Sequence, residues 1–140
     1  MSPLERISER VNRLGSPNNA ETPRPLLGLD EFFDGNECIG SIGCNLPSAP
    51  APREMYALLK KIAERPDVED VRVEVTAFDD PDWPFSDTVH IMTSASAQEV
   101  TSWFKEDFAP DDVQEGFQDG QSYEPYSVPA GSKVVTCWWD

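Results

Sequence analysis

The sequence has few of the residues from which metal and catalytic sites are usually built. It contains one histidine, His90, and three cysteines, Cys38, Cys44 and Cys137. The odd number of cysteines and the lack of a C-x-x-C pair argue against a disulfide-stapled secreted domain. Zinc is disfavoured because its usual pairs of closely spaced ligands are missing. We therefore expect neither a metal nor another cofactor.

Long apolar runs are also missing. No stretch of about 18 apolar residues occurs, so the sequence predicts no membrane span. The beginning of the chain is charged and lacks an apolar signal core, so we expect no secretory peptide and a cytoplasmic location. The 140 residues are enough for one ordinary domain.

The motifs of common enzyme classes do not occur. Gly35, Gly40 and Gly43 lie close together but match neither G-x-x-x-x-G-K-[ST] nor G-x-G-x-x-G. A Cys–His nucleophilic pair would need a cysteine within hydrogen-bond reach of His90. No short signature frames any of the cysteines, and a free cysteine commonly serves as a small hydrophobe. We therefore predict that the protein is not an enzyme.

Bases are scarce in the second half of the chain. The sequence has 26 acids against 11 bases and a net charge of −15. Residues 1–65 carry a net charge of −1, whereas residues 66–140 carry −14, with Arg72, Lys105 and Lys133 as their only bases. Such a field repels nucleic acid and anionic lipid and attracts basic surfaces. Solubility alone is the other explanation.

The start of the chain predicts an amphipathic helix. Ser2 suits the N-cap, Pro3 the first helical position, and Glu5 completes a capping box. Apolar side chains then recur at helical spacing until Gly15 ends the helix. We expect a helix over residues 1–15, a proline-rich linker over 16–25 and a single α+β domain over 26–140. The helix stripe consists of Leu4, Ile7, Val11 and Leu14.

Periodicity in the remaining chain predicts six elements in the order β-α-β-β-α-β. This order indicates an α+β, ferredoxin-like plait, in which two helices cover one face of a four-stranded antiparallel sheet. The first strand would then lie between the last strand and the strand that carries His90. The acidic stretch from Asp111 to Tyr126 is predicted to be a long loop. The predicted elements are a strand at 38–45, a helix at 52–64, strands at 71–77 and 87–93, a helix at 96–108 and a strand at 134–139.

The turn between the two middle strands is the strongest candidate for a binding surface. Two aromatic residues, Trp83 and Phe85, stand there within a frame of carboxylates. Aromatic anchors surrounded by charge are typical of protein–protein hot spots. The alternatives are that these aromatics cap the core, or that the aspartates hold calcium or magnesium, although their spacing matches no EF-hand loop. The predicted contact set is Asp79, Asp80, Asp82, Trp83, Phe85, Asp87, Asp111 and Asp112.

The last strand is apolar on both faces and ends in two tryptophans. Val134, Thr136 and Trp138 point to one face, and Val135, Cys137 and Trp139 point to the other. One set should meet the open side of the sheet, where either the first helix or another chain would cover it. Trp138 and Trp139 are therefore predicted as a possible apolar interface, which includes the possibility of a homodimer.

These observations favour an acidic protein-binding module. In size, charge and lack of motifs the chain resembles the small bacterial immunity proteins that block toxin enzymes, a resemblance of composition that transfers no residue role. It implies occlusion of a basic surface or active site, on a toxin or a nucleic-acid-binding protein, with no direct binding of nucleic acid or membrane. The alternatives are a ferredoxin-like domain that senses or converts a small molecule on the open sheet face around His90 and Cys137, and a structural subunit without a ligand.

Overall fold

The computed structural model describes residues 1–17, 19–47 and 50–140. Helix α1 spans Pro3–Leu14 and begins as the sequence predicts, because the Ser2 hydroxyl accepts a hydrogen bond of 3.1 Å from the Glu5 N–H. Ile7 and Val11 of its apolar stripe are buried in the main core. The first helix therefore packs against its own chain.

The remaining elements form an α+β fold with one sheet. Met55, Leu59 and Ile62 form the buried face of helix α3, and Ser96 caps helix α4. Three of the strands, β2, β3 and β5, overlap the predicted ones. The elements after α1 are β1 (Leu26–Gly28), α2 (Leu29–Phe33), α3 (Pro52–Ala63), β2 (Val68–Glu74), β3 (Thr88–Thr93), α4 (Ala97–Ser102), a 3-10 turn (Glu106–Phe108), β4 (Asp112–Glu115) and β5 (Lys133–Trp138).

The sheet has five antiparallel strands in the order β1-β2-β3-β5-β4. The register aligns Val73 with Val89 and Val89 with Cys137, so these side chains share one face. They belong to the apolar core that the helices complete. Residues at the alternate positions, such as Glu74, His90 and Thr136, lie on the second face, since successive strand residues point to opposite sides.

The predicted first strand is wrong. Residues 38–45 form turns and bends, and an isolated bridge links Ile42 to Ser86. The positive φ angles of Gly40 and Gly43, 95° and 68°, explain why this segment does not extend. The edge position is taken by β1, and β3 pairs directly with β5. The four-stranded ferredoxin-like plait is therefore not confirmed.

Two other boundaries differ from the predictions. The helix predicted to reach Phe108 ends at Ser102, and a 3-10 turn follows it. The acidic stretch predicted as a loop contains strand β4, which pairs with β5 at the edge of the sheet. Strand β4 has only one apolar residue, Val113, so its sequence lacks the alternation that indicates a half-buried strand.

The segment 116–126, here called the strap, crosses the second face of the sheet. The Arg24 N–H donates to the Ser122 carbonyl over 2.9 Å, and the Glu124 N–H donates to the Arg24 carbonyl over 3.0 Å. The Tyr126 hydroxyl donates to the carboxylate of Asp70 on β2. The strap therefore covers the sheet face that the helices leave open.

Candidate functional site

The antiparallel register gathers many carboxylates at one end of the sheet. Strand β2 ends and β3 begins at this end, so the turn with Asp79, Asp80 and Asp82 lies there. Strand β5 ends there as well, and its Trp138 is paired with Asp112, where β4 begins. We call this region the acidic end and define it by six exposed residues: Asp79, Asp80, Asp82, Asp111, Asp112 and Asp140.

None of these six carboxylates forms an ion pair within residues 1–17, 19–47 and 50–140. Two of them fix backbone, because Asp80 accepts from the Asp82 N–H at 2.8 Å and Asp111 accepts from the Asp140 N–H at 2.7 Å. From β3 to β4 the sheet advances two strands, about 10 Å. Within the same ranges the acidic end therefore carries six exposed carboxylates without a cationic partner.

Trp83 does not face solvent. Its side chain is 6% exposed, and its indole N–H donates to the Phe32 carbonyl over 2.9 Å. The prediction of Trp83 as a contact residue is corrected by this burial: the ring caps the core under the turn, because the buried carbonyl of α2 needs a donor. Phe85 is half-buried.

Asp87 holds the base of the turn together. Its carboxylate accepts hydrogen bonds of 2.8 Å from the hydroxyls of Thr76 and Thr88. Its carbonyl accepts from the Trp139 N–H over 2.9 Å. Asp87 is thus engaged within the fold.

The two C-terminal tryptophans have different surroundings. Trp139 is 2% exposed, contacts the Phe104 ring edge-on and donates its indole N–H to the Phe108 carbonyl over 3.0 Å. It is therefore not available as an interface residue, which corrects that prediction. Trp138 is half-exposed beside Asp112 and leaves an aromatic surface within the acidic end.

An exposed apolar side chain accompanies the turn. Ile39 is 67% exposed and lies in the segment joined to the end of the sheet by the hydrogen bond from the Ser86 N–H to the Ser41 carbonyl. The pKa of its neighbour Cys38 is raised by burial and then by the carboxylates of Asp82, Asp80 and Glu37. Ile39 therefore follows a thiol that is influenced by the charge of these three carboxylates.

A chain of buried polar side chains runs under the strap. His90 is fully buried, with its Nε2 atom 2.7 Å from Glu74 Oε1 and its Nδ1 atom 2.9 Å from the Thr136 hydroxyl. The Thr136 hydroxyl donates to the Gly116 carbonyl over 2.6 Å. Because this donation uses the only hydroxyl proton, His90 Nδ1 must carry the proton that it shares with Thr136.

Arginine and aromatic side chains close the chain of polar groups. Arg24 Nη1 lies 2.6 Å from Glu74 Oε2, so the buried carboxylate has a cation as its second partner. The rings of Phe117 and Tyr123 contact the imidazole with centroid distances of 4.9 and 5.4 Å. Burial, and then the charge of Glu74, raises the pKa of Tyr123. The strap is thus held over a chain of polar groups in which Glu74 and His90 are fully buried.

His90 and Cys137 do not form one site. Cys137 lies on the core face, where burial raises the pKa of its thiol to about 12, whereas His90 lies on the strap face. The face around His90 is also not open, because the strap covers it. These findings correct the prediction of an open sheet face that presents both residues. The remaining cysteines are Cys38, which is half-buried, and Cys44, which is exposed.

The described ranges contain neither a metal-binding cluster nor a helix suited to a membrane. Within residues 1–17, 19–47 and 50–140, no three or more histidine, cysteine, aspartate or glutamate side chains are arranged to hold a metal ion. In the same part of the chain, no helix combines the length and apolar character that a membrane crossing requires.

Comparison with known proteins supplies a family. A family model described as "Uncharacterized protein YfbO family" matches residues 2–137. The chain belongs to the YfbO family. It is 50% identical over 140 residues to "Uncharacterized protein YfbO" of Escherichia coli strain K12, and the match covers the whole of both chains. No solved structure matches the chain.

Sequence reasoning did not find the buried chain of polar groups in this YfbO family member. Glu74 occupies a polar position in an alternating strand, which usually indicates solvent exposure. The available signal was the presence of Phe117, Tyr123 and Tyr126 in an acidic segment, since aromatics usually need apolar surface to cover. Their partner could be identified only once the sheet order was known.

Proposed function

We propose that the protein is an acidic protein-binding module that docks its acidic end against a basic surface of a partner protein and occludes that surface. The observation that carries the proposal is the gathering of six exposed carboxylates, without ion pairs in the described structure, at one end of the sheet. Self-repulsion at such an end is relieved when a basic partner binds.

Negative charge at the acidic end would favour encounter with basic partners and select against acidic ones. Complementary charge speeds association and disfavours acidic partners, while the affinity depends more on desolvated anchors. Trp83 cannot serve as an anchor because it is buried. Trp138 and Phe85, both half-exposed, and Ile39 take that role in the proposal.

The dimensions suit an interface of standard size. Such an interface buries about 800 Å² on each partner. This is about a tenth of the 7418 Å² accessible surface of this chain. A basic active site or nucleic-acid groove covered over this area would lose access to its substrate. Small immunity proteins, which this chain resembles in composition, act by occlusion of this kind.

The test is affinity capture from the native cell at low salt with three forms of the protein. The first is the wild type. In the second, five carboxylates of the acidic end are neutralised (D79N, D80N, D82N, D111N and D112N). In the third, five exposed carboxylates elsewhere are neutralised (E9Q, E64Q, E69Q, E99Q and D119N), so the net charge is the same.

A basic protein retained by the wild type and the third form, and lost from the second, is the expected result. Equal retention by the second and third forms would show that position does not matter and would contradict the proposal. Retention of only acidic or neutral proteins would contradict it as well.

A further inference from the structure

The two edges of the sheet differ in whether their outward backbone groups have hydrogen-bond partners in the described structure. Strand β1 forms one edge of the sheet. The hydrogen bond from the Val75 N–H to the Pro25 carbonyl shows that odd-numbered residues of β1 direct their backbone groups towards β2. The N–H and C=O groups of Leu26 and Gly28 therefore point away from the sheet.

Side chains satisfy the outward groups of β1. The Leu26 N–H donates to Glu124 Oε1 over 2.6 Å, and the Leu26 carbonyl accepts from Arg10 Nη2 over 3.1 Å. The Gly28 N–H donates to Glu31 Oε1 over 3.0 Å. Arg10 also pairs with both of these carboxylates, so this edge is closed to another strand.

Strand β4 forms the other edge, and its outward backbone groups have no such partners among the described residues. The Gly116 N–H donates to the Val134 carbonyl over 2.8 Å, and Gln114 is aligned with Thr136. Even-numbered residues therefore bond to β5, whereas the N–H and C=O groups of Val113 and Glu115 point outward. No described residue forms a hydrogen bond to those outward groups.

The charges around this edge select what can pair with it. Asp112 and Glu115 are exposed on β4, where Glu115 pairs with Lys133 over 2.9 Å. Glu106 and Asp107 are exposed in the turn that precedes β4. A second copy of β4 would bring like charges together across the new pair of strands, which is destabilising. A strand that carries lysine or arginine would instead meet opposite charge.

We infer that the outer edge of β4 accepts an extended basic segment of the partner as a sixth strand of the sheet. This inference rests on the proposed function and names the form of the partner: backbone hydrogen bonds to Val113 and Glu115 hold the segment, and its basic side chains meet Asp112 and the acidic end.

The probe is a synthetic seven-residue peptide in which lysine alternates with threonine, titrated at low salt. Its control is the same peptide with alternate backbone amides N-methylated, which keeps the charge and removes strand pairing. The protein is used as wild type and as V113P. Proline is tolerated at a position whose N–H points away from the sheet but removes a donor that the peptide needs.

The reference pair is the plain peptide with the wild type. We expect the N-methylated peptide to bind the wild type, and the plain peptide to bind V113P, at least about tenfold more weakly than this pair, because backbone hydrogen bonds to the edge are lost. The amide protons of Val113 and Glu115 should also become protected from exchange when the plain peptide binds the wild type.

Equal affinity of the two peptides for the wild type would overturn the inference even if V113P failed to fold. If the five acidic-end substitutions still weakened both peptides, the proposed function would stand and only strand addition would fail. Dimerisation of the wild type through β4 would also overturn it. It would be seen as protection of the Val113 and Glu115 amide protons from exchange in the absence of peptide.

Discussion

The Nε2 atom of His90 lies 2.7 Å from Oε1 of Glu74, and neither side chain is accessible to solvent. Glu74→Ala leaves the buried His90 Nε2 atom without its partner, and an unsatisfied buried polar group costs about 1–3 kcal/mol. We expect Glu74→Ala to lower the free energy of unfolding by about that amount in urea denaturation. The control is Glu69→Ala, an exposed site on the same strand, where we expect a change within about 0.5 kcal/mol. A loss of under 1 kcal/mol for Glu74→Ala would contradict the buried pair.

The two tyrosines of the strap should respond differently to loss of the hydroxyl. Tyr126 donates to Asp70, and burial followed by that hydrogen bond raises its pKa to about 12. The Tyr123 hydroxyl is buried with no hydrogen-bond partner in the described part of the chain. We expect Tyr126→Phe to destabilise by about 1 kcal/mol and Tyr123→Phe to be neutral or stabilising. Urea denaturation of both variants checks this, and the reverse order would be contrary to the structure.

The indole of Trp83 should stabilise the fold through its N–H hydrogen bond as well as through its buried apolar surface. Trp83→Phe leaves the buried Phe32 carbonyl without its donor, so we expect a loss of about 1–3 kcal/mol. Trp138→Phe, at a half-exposed site, should cost less. Thermal or urea unfolding gives both values, and equal losses would indicate that Trp83 is not engaged as described.

The acidic turn should slow the alkylation of Cys38. A raised pKa keeps less of a thiol ionised at pH 8, and the thiolate is the reactive form. Cys44, which is exposed, should therefore react with iodoacetamide before Cys38, and buried Cys137 should not react in the folded protein. Mass spectrometry of timed samples separates the three sites.

A double variant tests whether charge is part of the cause. Neutralising two of the carboxylates that act on Cys38, in the variant D80N/D82N, should speed its reaction relative to Cys44. An unchanged ratio of the two rates would mean that burial alone determines the reactivity.

How much the sequence could predict depended on how local each feature is. The start of α1 at Ser2 and Pro3 follows from capping chemistry within one turn, and the structure confirms it. The alternation in β3 and β5 predicted which side chains share a face, and the register agrees. These features need no knowledge of distant contacts.

The features that the sequence did not predict depend on long-range pairing. Residues 38–45 have strand-like composition, but their glycines adopt turns, and three residues at Leu26–Gly28 take the edge position. Strand β4 is stabilised by β5 and not by its own sequence. The link between Glu74 and His90, 16 positions apart, required the register of β2 and β3.

The candidate site was predictable in part. The concentration of carboxylates in residues 66–140 is a property of the sequence, and antiparallel pairing brings Asp79 and Asp112 to one end. The choice of aromatic anchor was not predictable, because the burial of Trp83 depends on its contact with the Phe32 carbonyl, 51 positions away in the sequence. Only packing shows that Trp83 is buried.

The most direct test of the account is the association rate constant between this protein and its captured partner, measured from low to high salt for the three forms described above. We predict a steep fall with salt for the wild type and for the form neutralised elsewhere, and a lower, flatter rate for the form neutralised at the acidic end. The same rate and salt dependence for both five-fold variants would contradict the claim that the position of these carboxylates selects the partner.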